Sequence, residues 1–559
     1  MGEFDPLSAG IPWLAKNIAK ELARFDPQTG RFMTGTGWAV TNQDAMLSMA
    51  YLYLTPHPGN PFHRDPGFLR TIGQVGDAVR DFQYPDGRVE FVKVDGSKWG
   101  PIYMPWTMYH WLETFHALRD VLDAARGARW EEGLRLAFTG IARELRERLD
   151  GADTDAIVHN IPTWNAMSLR RAADVLGCPA WAAIANRLLR HAVDAQDPDG
   201  YWPEFAGPTT SYNLVYVHAL GLYRLQGGEI DVLPALERAL RFHQTFTYPD
   251  GTLVETIDGR VKYHDRRNPS GLVGFSLLPH GRRYVMALVR RAIDGGECWV
   301  QPHFAQLLRY WPDGAAAERA PSSFEDERFQ AALARAIVIK EHGWYICLSG
   351  FTGVSVAARW AQDRQSFVGV WQRTTGLVIG GGNSKDQSEW STFQVVTGDG
   401  EQFAVPDAGA VDLDRRTVDL ECRGRRLRVQ LVALDERTLT LRMTAYGHAG
   451  DALVVHLPLQ LHPGEVIETS VGGEQTVSES ALRVAAPGGG QWVGHGPWRL
   501  EWEGGFTLEW PSFPFNPYAQ DGKSNPASPD GGPDLAAAVA ILRLSLASGE
   551  ARDVRIALV

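Results

Sequence analysis

Three short segments carry residues that together suit one reaction. His159-Asn160 open HNIPTWN, Tyr212 closes the run from Asp199 to Asn213 (DGYWPEFAGPTTSYN), and Arg266-Arg267 lie in KYHDRRN beside His264 and Asp265. The steps are 52 residues from Asn160 to Tyr212 and 54 from Tyr212 to Arg266. An amide, a phenol and guanidinium groups in an otherwise acidic chain suit β-elimination of a uronate polymer. The proton α to a carboxylate is very weakly acidic, so a donor must neutralise that carboxylate and stabilise the developing enediolate. Asn160, with Arg266, is placed for this. A base must take the proton and an acid must protonate the departing glycosidic oxygen. A tyrosine whose pKa is lowered by a neighbouring arginine serves in one or both steps, and Tyr212 is the candidate.

Glycoside hydrolysis is the competing chemistry. It needs two carboxyl groups about 5–10 Å apart across the scissile bond. Three Pro-Asp-Gly turns lead into Glu90 (PDGRVE), Glu204 (PDGYWPE) and Glu255 (PDGTLVE), and Asp265 adds a fourth acid. A glutamate after a tight turn also caps helices, which is the simpler explanation for each taken singly. Aromatics crowd the same segments: Trp99, Tyr103, Trp106, Trp111, Trp164, Tyr201 and Trp202, in a chain with 19 Trp. Flat rings in a cleft stack on sugar faces, and Tyr or Trp keeps a polar edge for hydroxyls. Core filling is the alternative for many of them. Trp99, Tyr103, Trp106, Trp164, Trp202 and Arg267 are the substrate-binding candidates; Asn160, Tyr212, His159, Arg266, His264 and Glu204 are the catalytic ones. His110, His116, His191 and His218 fall on helical stretches, where core or surface roles are commoner.

These residues need a scaffold that brings distant segments to one place. Pro-Asp-Gly recurs at Pro85–Gly87, Pro198–Gly200, Pro249–Gly251 and Pro312–Gly314, with weaker versions at Asp26–Gly30 and Leu149–Gly151. The turn glycines are spaced by 57, 64, 49, 51 and 63 residues. Between the turns the pattern is helical; Trp130, Leu134, Ala137, Ile141 and Leu145 form a one-sided apolar stripe. Two helices per interval is a helical-repeat signature, and six intervals allow ring closure. An open solenoid or bundle is the alternative. After about residue 315 the period changes to apolar/polar alternation, as in Trp344–Leu348, Thr417–Glu421, Arg428–Val432, Thr438–Met443 and Trp498–Trp502. The expectation is a multidomain α+β chain: an N-terminal (α/α)6-type toroid over 1–315, a linker over 316–334 and an antiparallel β-sandwich over 335–559.

Composition narrows the function classes. The 559 residues carry 55 Lys and Arg against 66 Asp and Glu, a net charge of −11. That argues against nucleic-acid binding, which needs clustered Lys/Arg, and no apolar run is long enough for membrane insertion. Cys178, Cys298, Cys347 and Cys422 are far apart, the pattern of buried free thiols rather than of a zinc site or a disulfide framework. No GxSxG, HExxH, GxGxxG or EF-hand pattern stands out. No cofactor and no metal are expected; the expected partner is an acidic polysaccharide or oligosaccharide. The first 25 residues lack a signal profile. This implies a cytoplasmic protein for a complete chain, and a periplasmic or secreted one if a signal has been removed.

The segment Asp199–Asn213, with DG-x(10)-SYN, resembles the DG…AYG segment bearing the catalytic tyrosine of the toroid-plus-sandwich polysaccharide lyases. That group contains the chondroitin AC, hyaluronan and xanthan lyases, and more loosely the heparinase and alginate lyase relatives. Asn160 one hairpin earlier and the Arg pair one hairpin later extend the resemblance. It implies Asn160 as carboxylate neutraliser, Tyr212 as base and acid, and arginine in substrate binding. The chain departs from the pattern at one point: Trp202-Pro203-Glu204-Phe205 occupies the stretch where the family has a histidine. Either His159, His218 or His264 substitutes for it, or the mechanism differs. Non-catalytic glycan binding is a third reading.

Overall fold

The computed structural model describes all residues except 1–4, 34–36, 93–95, 152–157, 205–206, 261–266, 300–301, 353–356, 381, 518, 520–521 and 523–534. Arg266, His264 and Asp265 therefore lie outside the described residues, as does most of 515–534. The chain divides into two compact units. The first holds Met1–Trp202, Tyr212–Leu240 and Arg267–Ala320; the second holds Pro203–Ser211, Arg241–Arg266 and Pro321–Val559.

The helical part has twelve α-helices among the described residues, in two sets. The odd-numbered set is α1 (Pro6–Glu21), α3 (Pro66–Phe82), α5 (Ala124–Asp150), α7 (Ala180–Asp194), α9 (Leu233–Thr245) and α11 (Pro279–Asp294). The even-numbered set is α2 (Ala45–Leu54), α4 (Pro105–Leu118), α6 (Asn160–Val175), α8 (Thr210–Leu225), α10 (Leu272–Phe275) and α12 (Pro302–Arg309). Apolar patterning decides which set faces inward. Helix α7 buries one stripe, Ala185, Leu188, Leu189 and Ala192, as a surface helix does. Helix α4 is buried on nearly every side, from Pro105 to Phe115. Helix α2 packs on α4, α4 on α6, α10 on α12, and α12 back on α2, while α1 meets α11. First and last hairpins meet, so the six helical pairs close into an (α/α)6 ring. The stripe Trp130, Leu134, Ala137, Ile141 and Leu145 is buried along α5.

The recurring turn has a structural cause. Gly87 and Gly200 take φ of +90° and +95°, and a Cβ there would lie 2.6 Å from Ala137 N and 2.1 Å from Arg238 O. Only glycine permits both the left-handed backbone and the approach to the next outer helix. A glutamine amide then ties each turn down. Gln83 Nε2 donates to the carbonyls of Gly87 and Gly133, and Gln196 Nε2 to those of Gly200 and Ala235. Gln43 Nε2 does the same for Gly30 and Val75, so the weaker turn Asp26–Gly30 is a copy of the same device. Pro312–Gly314 differs, because it follows inner helix α12 rather than an outer helix.

The second unit is built on two antiparallel sheets of eleven and nine strands. Its first strand, Phe329–Leu333, opens inside the stretch read as linker. All five strand segments anticipated from alternation are strands. In Thr438–Tyr446 buried and half-buried residues alternate, the mark of a strand with one face in the core. Trp344–Ser349 is buried on both faces. Ile346, Val370, Leu457 and Leu544 from the larger sheet share one core with Val429, Leu441, Leu500 and Val554 from the smaller, which makes the pair a sandwich. Cys347 and Cys422 are buried free thiols, whereas Cys298 is exposed, contrary to the expectation.

Candidate active site at the amino-terminal end of the inner helices

The inner helices run parallel to one another, so their amino termini meet at one end of the ring. Contacts near the starts of α2, α4, α6 and α12 establish this, with α8 joined to them through His218 in its third turn. Thr107 Oγ1 donates to Asp44 Oδ1 at 2.6 Å, tying the start of α4 to the residue before α2. The Trp106 and Trp164 rings lie 5.4 Å apart, linking α4 to α6. Trp164 stacks on His218 of α8 at 5.5 Å, and His218 lies 4.5 Å from His303 of α12. The His218 Nδ1 accepts from the Gly271 amide just before α10. The longer helices bring the positive ends of their dipoles to this end, which favours anions although the protein is acidic overall; at α8 the first amides are already taken, Thr210 N and Ser211 N both donating to Asp258 Oδ2.

Asn160 and Tyr212 both belong to this end. Asn160 is the first residue of α6 and is buried; Tyr212 is the third residue of α8 and is half-buried. One turn below Asn160 on the same helix is Trp164, which packs on His218 of α8. His159 caps α6 with extended backbone, φ −142° and ψ 168°. Asn213 fixes the approach to α8, its Oδ1 accepting from the Trp202 amide at 3.0 Å.

A cavity of about 390 Å³ opens at this end, with Asp44, Trp106, His110, Asn268, Ser270 and His303 in its wall, and Glu21 and Arg24 beside them. His110 is 1% exposed, its Nδ1 lies 3.3 Å from Asp44 Oδ2 without hydrogen-bond geometry, and neither ring nitrogen has a hydrogen-bond partner among the described residues. Ser270 Oγ lies 3.4 Å from His303 Nδ1. Burial, with His218 and His110 nearby, holds the His303 pKa well below its ordinary value. Burial holds that of His218 down to about 3, so at neutral pH both are uncharged. His218 also hydrogen-bonds Gln306 Oε1 at 2.8 Å, which makes it a core histidine rather than a proton carrier.

The aromatic candidates separate. Trp106 is half-buried and lines the cavity, and Trp99 is 37% exposed on the hairpin Val89–Val92/Lys98–Ile102, tilted against Phe91. Trp164 is 1% exposed with Nε1 donating to the Pro105 carbonyl, so it belongs to the packed interior rather than to the cavity wall. Trp202 is fully buried, stacks on Tyr216 at 4.9 Å and donates to Ala192 O. Tyr103 is buried too. Its hydroxyl donates to Asp86 O and accepts from Arg143, and its ring would clash with any Cβ on Gly140. Both rings hold turns to helices. Arg267 pairs with Glu297.

The glutamates have structural partners. Glu90 accepts from the Gly100 amide at 2.8 Å and from Tyr84 Oη at 3.2 Å, inside the small hairpin. In the second unit, Glu204 is 2% exposed and pairs with Arg260 at 3.0 Å, and Glu255 is buried against Tyr248 Oη. Sequence reasoning missed Asp44, Ser270 and His303 and left His110 among core residues. Their shared signal is position, each lying within a few residues of the start of an inner helix. Among the described residues no group of His, Cys, Asp and Glu is arranged to hold a metal, and no helix is long and apolar enough to cross a membrane.

No family model and no curated protein matches the chain. Solved structures do. A chondroitin AC lyase from Streptomyces coelicolor A3, in complex with chondroitin sulphate, is 14% identical with a TM-score of 0.54; the match covers 100% of this chain and 80% of that one. A heparan sulfate lyase mutant from Pedobacter heparinus is 12% identical over 98% of this chain and 82% of its own, with a TM-score of 0.47. An unsaturated glucuronyl hydrolase mutant from Streptococcus agalactiae is 10% identical over 56% of this chain and 94% of its own, with a TM-score of 0.39. With a closed helical ring followed along the chain by an antiparallel sandwich, the chain has the fold of a polysaccharide lyase, that of the Streptomyces chondroitin AC lyase.

Proposed function

We propose that the protein is a polysaccharide lyase that cleaves a uronic-acid-containing glycan by β-elimination. The observation carrying this is the placement of Asn160 and Tyr212 in the first turns of α6 and α8, at the end of the ring where the inner-helix dipoles favour an anion. The Asn160 amide hydrogen-bonds the uronate carboxylate and supports the charge that grows on it as the C5 proton leaves. Tyr212, as phenolate, takes that proton. The electron pair of the C5–H bond becomes the C4–C5 double bond, the C4–O4 bond breaks, and the phenol returns its proton to the departing oxygen. A free phenol titrates near pH 10, so ionisation at pH 7 costs about 4 kcal/mol unless positive charge offsets it. Arg266, from the sequence, supplies that offset, because the Asp258 carboxylate already occupies the first amides of α8. His110 stands in for the histidine that the Trp202–Phe205 stretch lacks: Asp44 lies 3.3 Å from its Nδ1, and its Nε2, without a hydrogen-bond partner among the described residues, holds substrate or relays the proton.

The test is a panel of acidic and neutral glycans, read by the ultraviolet absorbance of an unsaturated uronate and by reducing ends. Unsaturated product from an acidic glycan supports the lyase. Saturated reducing ends alone support hydrolysis, which one observation favours: Glu21 and Asp44 line the same cavity. Binding without turnover would leave a glycan-binding protein.

A further inference from the structure

At the opposite end of the ring, where α2, α4 and α12 end, a second cavity of about 310 Å³ is lined by Tyr51, Glu113, His116, Gln306, Arg309 and Tyr310 among others. Helix carboxyl termini are negative, and Glu113, only 2% exposed, adds a full charge there. Two guanidiniums offset it. Arg171 Nε donates to Glu113 Oε1 and Arg309 Nη1 to Oε2 at 3.2 Å, so the carboxylate is satisfied and the trio keeps one net positive charge.

What remains unspent is mainly donors. Gln306 is 3% exposed; its Oε1 engages His218, and its Nε2 has no acceptor among the described residues. Among the described residues Arg309 hydrogen-bonds through Nη1 alone, with its guanidinium over the Tyr310 ring, and His116 Nδ1 has no partner. A buried amide donor left unpaired is unfavourable, and a guanidinium fork fits two oxygens at once. Tyr51, Tyr109 and Tyr310 add flat walls that suit a ring. An acceptor-rich anion with an apolar face completes this site; a cation or an apolar ligand would leave the donors unmet.

We propose that this cavity binds a small organic carboxylate about the size of one sugar acid, at a site separate from Asn160 and Tyr212. It stands whether or not the protein turns over any glycan.

The experiment is calorimetric titration of the full chain with D-glucuronate, and with D-glucose as the uncharged counterpart. Saturable binding of glucuronate and not of glucose is expected, weakened at least about tenfold in Arg309→Gln and in Gln306→Glu. The second variant keeps an acceptor for His218 and puts a carboxylate, which repels an anion, where the amide donor stood. No saturable binding up to about 20 mM glucuronate, or binding undiminished in both variants, overturns the proposal. Should both variants unfold, a crystal of the wild-type protein soaked in glucuronate decides: a carboxylate on Arg309 and Gln306 supports the site, and an unfilled cavity ends it.

Discussion

The two ends of the inner ring are made from the same helices and have opposite characters. Connections entering the inner helices run to 26 residues, over 246–271, whereas those leading from an inner helix to the next outer one run to at most 11, over 55–65. The entry end gathers helix amino termini, an amide, a phenol and the Asp44–His110 pair. The exit end gathers carboxyl termini and answers them with arginine on a buried glutamate. Repetition of one hairpin thus sorts dipoles before any side chain is chosen, and the long loops then supply chemistry where anions are already favoured.

If this contrast is right, substitutions at the two ends fail differently. Tyr212→Phe should lower kcat at least about a thousandfold with KM little changed, because the lost proton transfer matters only in the transition state; a modest loss would remove Tyr212 from the chemistry. Asn160→Ala should cost about a hundredfold or more in kcat, the scale of one oxyanion donor. At the exit end, Glu113→Ala leaves Arg171 facing no carboxylate and should cost about 3 kcal/mol in denaturant unfolding.

The glutamine clamps follow the outer helices, in connections that enter the inner ones, and their loss should weaken the ring without touching the reaction. Gln83→Leu strands the Gly87 and Gly133 carbonyls and should cost about 2 kcal/mol while kcat of the folded protein stays unchanged. The smallest effect is a slope. Folded His218 titrates at about 3 against 6.5 unfolded, so below pH 6.5 the unfolded chain binds the extra proton and stability falls as pH falls. His303 acts in the same direction. Each contributes up to about 1.4 kcal/mol per pH unit. Urea midpoints between pH 7 and 5 measure this, and a flat profile would contradict the buried neutral imidazoles.

Much of the fold was legible because its cause is local. Three of the four Pro-Asp-Gly turns mark where an outer helix ends and the backbone must turn left-handed, and the α5 stripe shows which face is covered. The sandwich strands were legible in the same way, by alternation. The site was legible only in part. Asn160 and Tyr212 follow recognisable turns one repeat apart, but Asp44 and His303 come from the first and last hairpins and meet only because the ring closes, which no local window shows. Trp202 and Trp106 look alike in sequence. One is sealed by stacking on Tyr216 and the other lines a cavity, a difference set by neighbours remote in the chain.

The most direct test is the crystal structure of Tyr212→Phe with an oligosaccharide of the uronate glycan that the wild-type protein degrades. The account predicts a uronate carboxylate about 3 Å from the Asn160 amide nitrogen, with the C5 hydrogen directed at the ring of residue 212. A sugar bound with its carboxylate elsewhere, or Asn160 and residue 212 facing different rings, would contradict it.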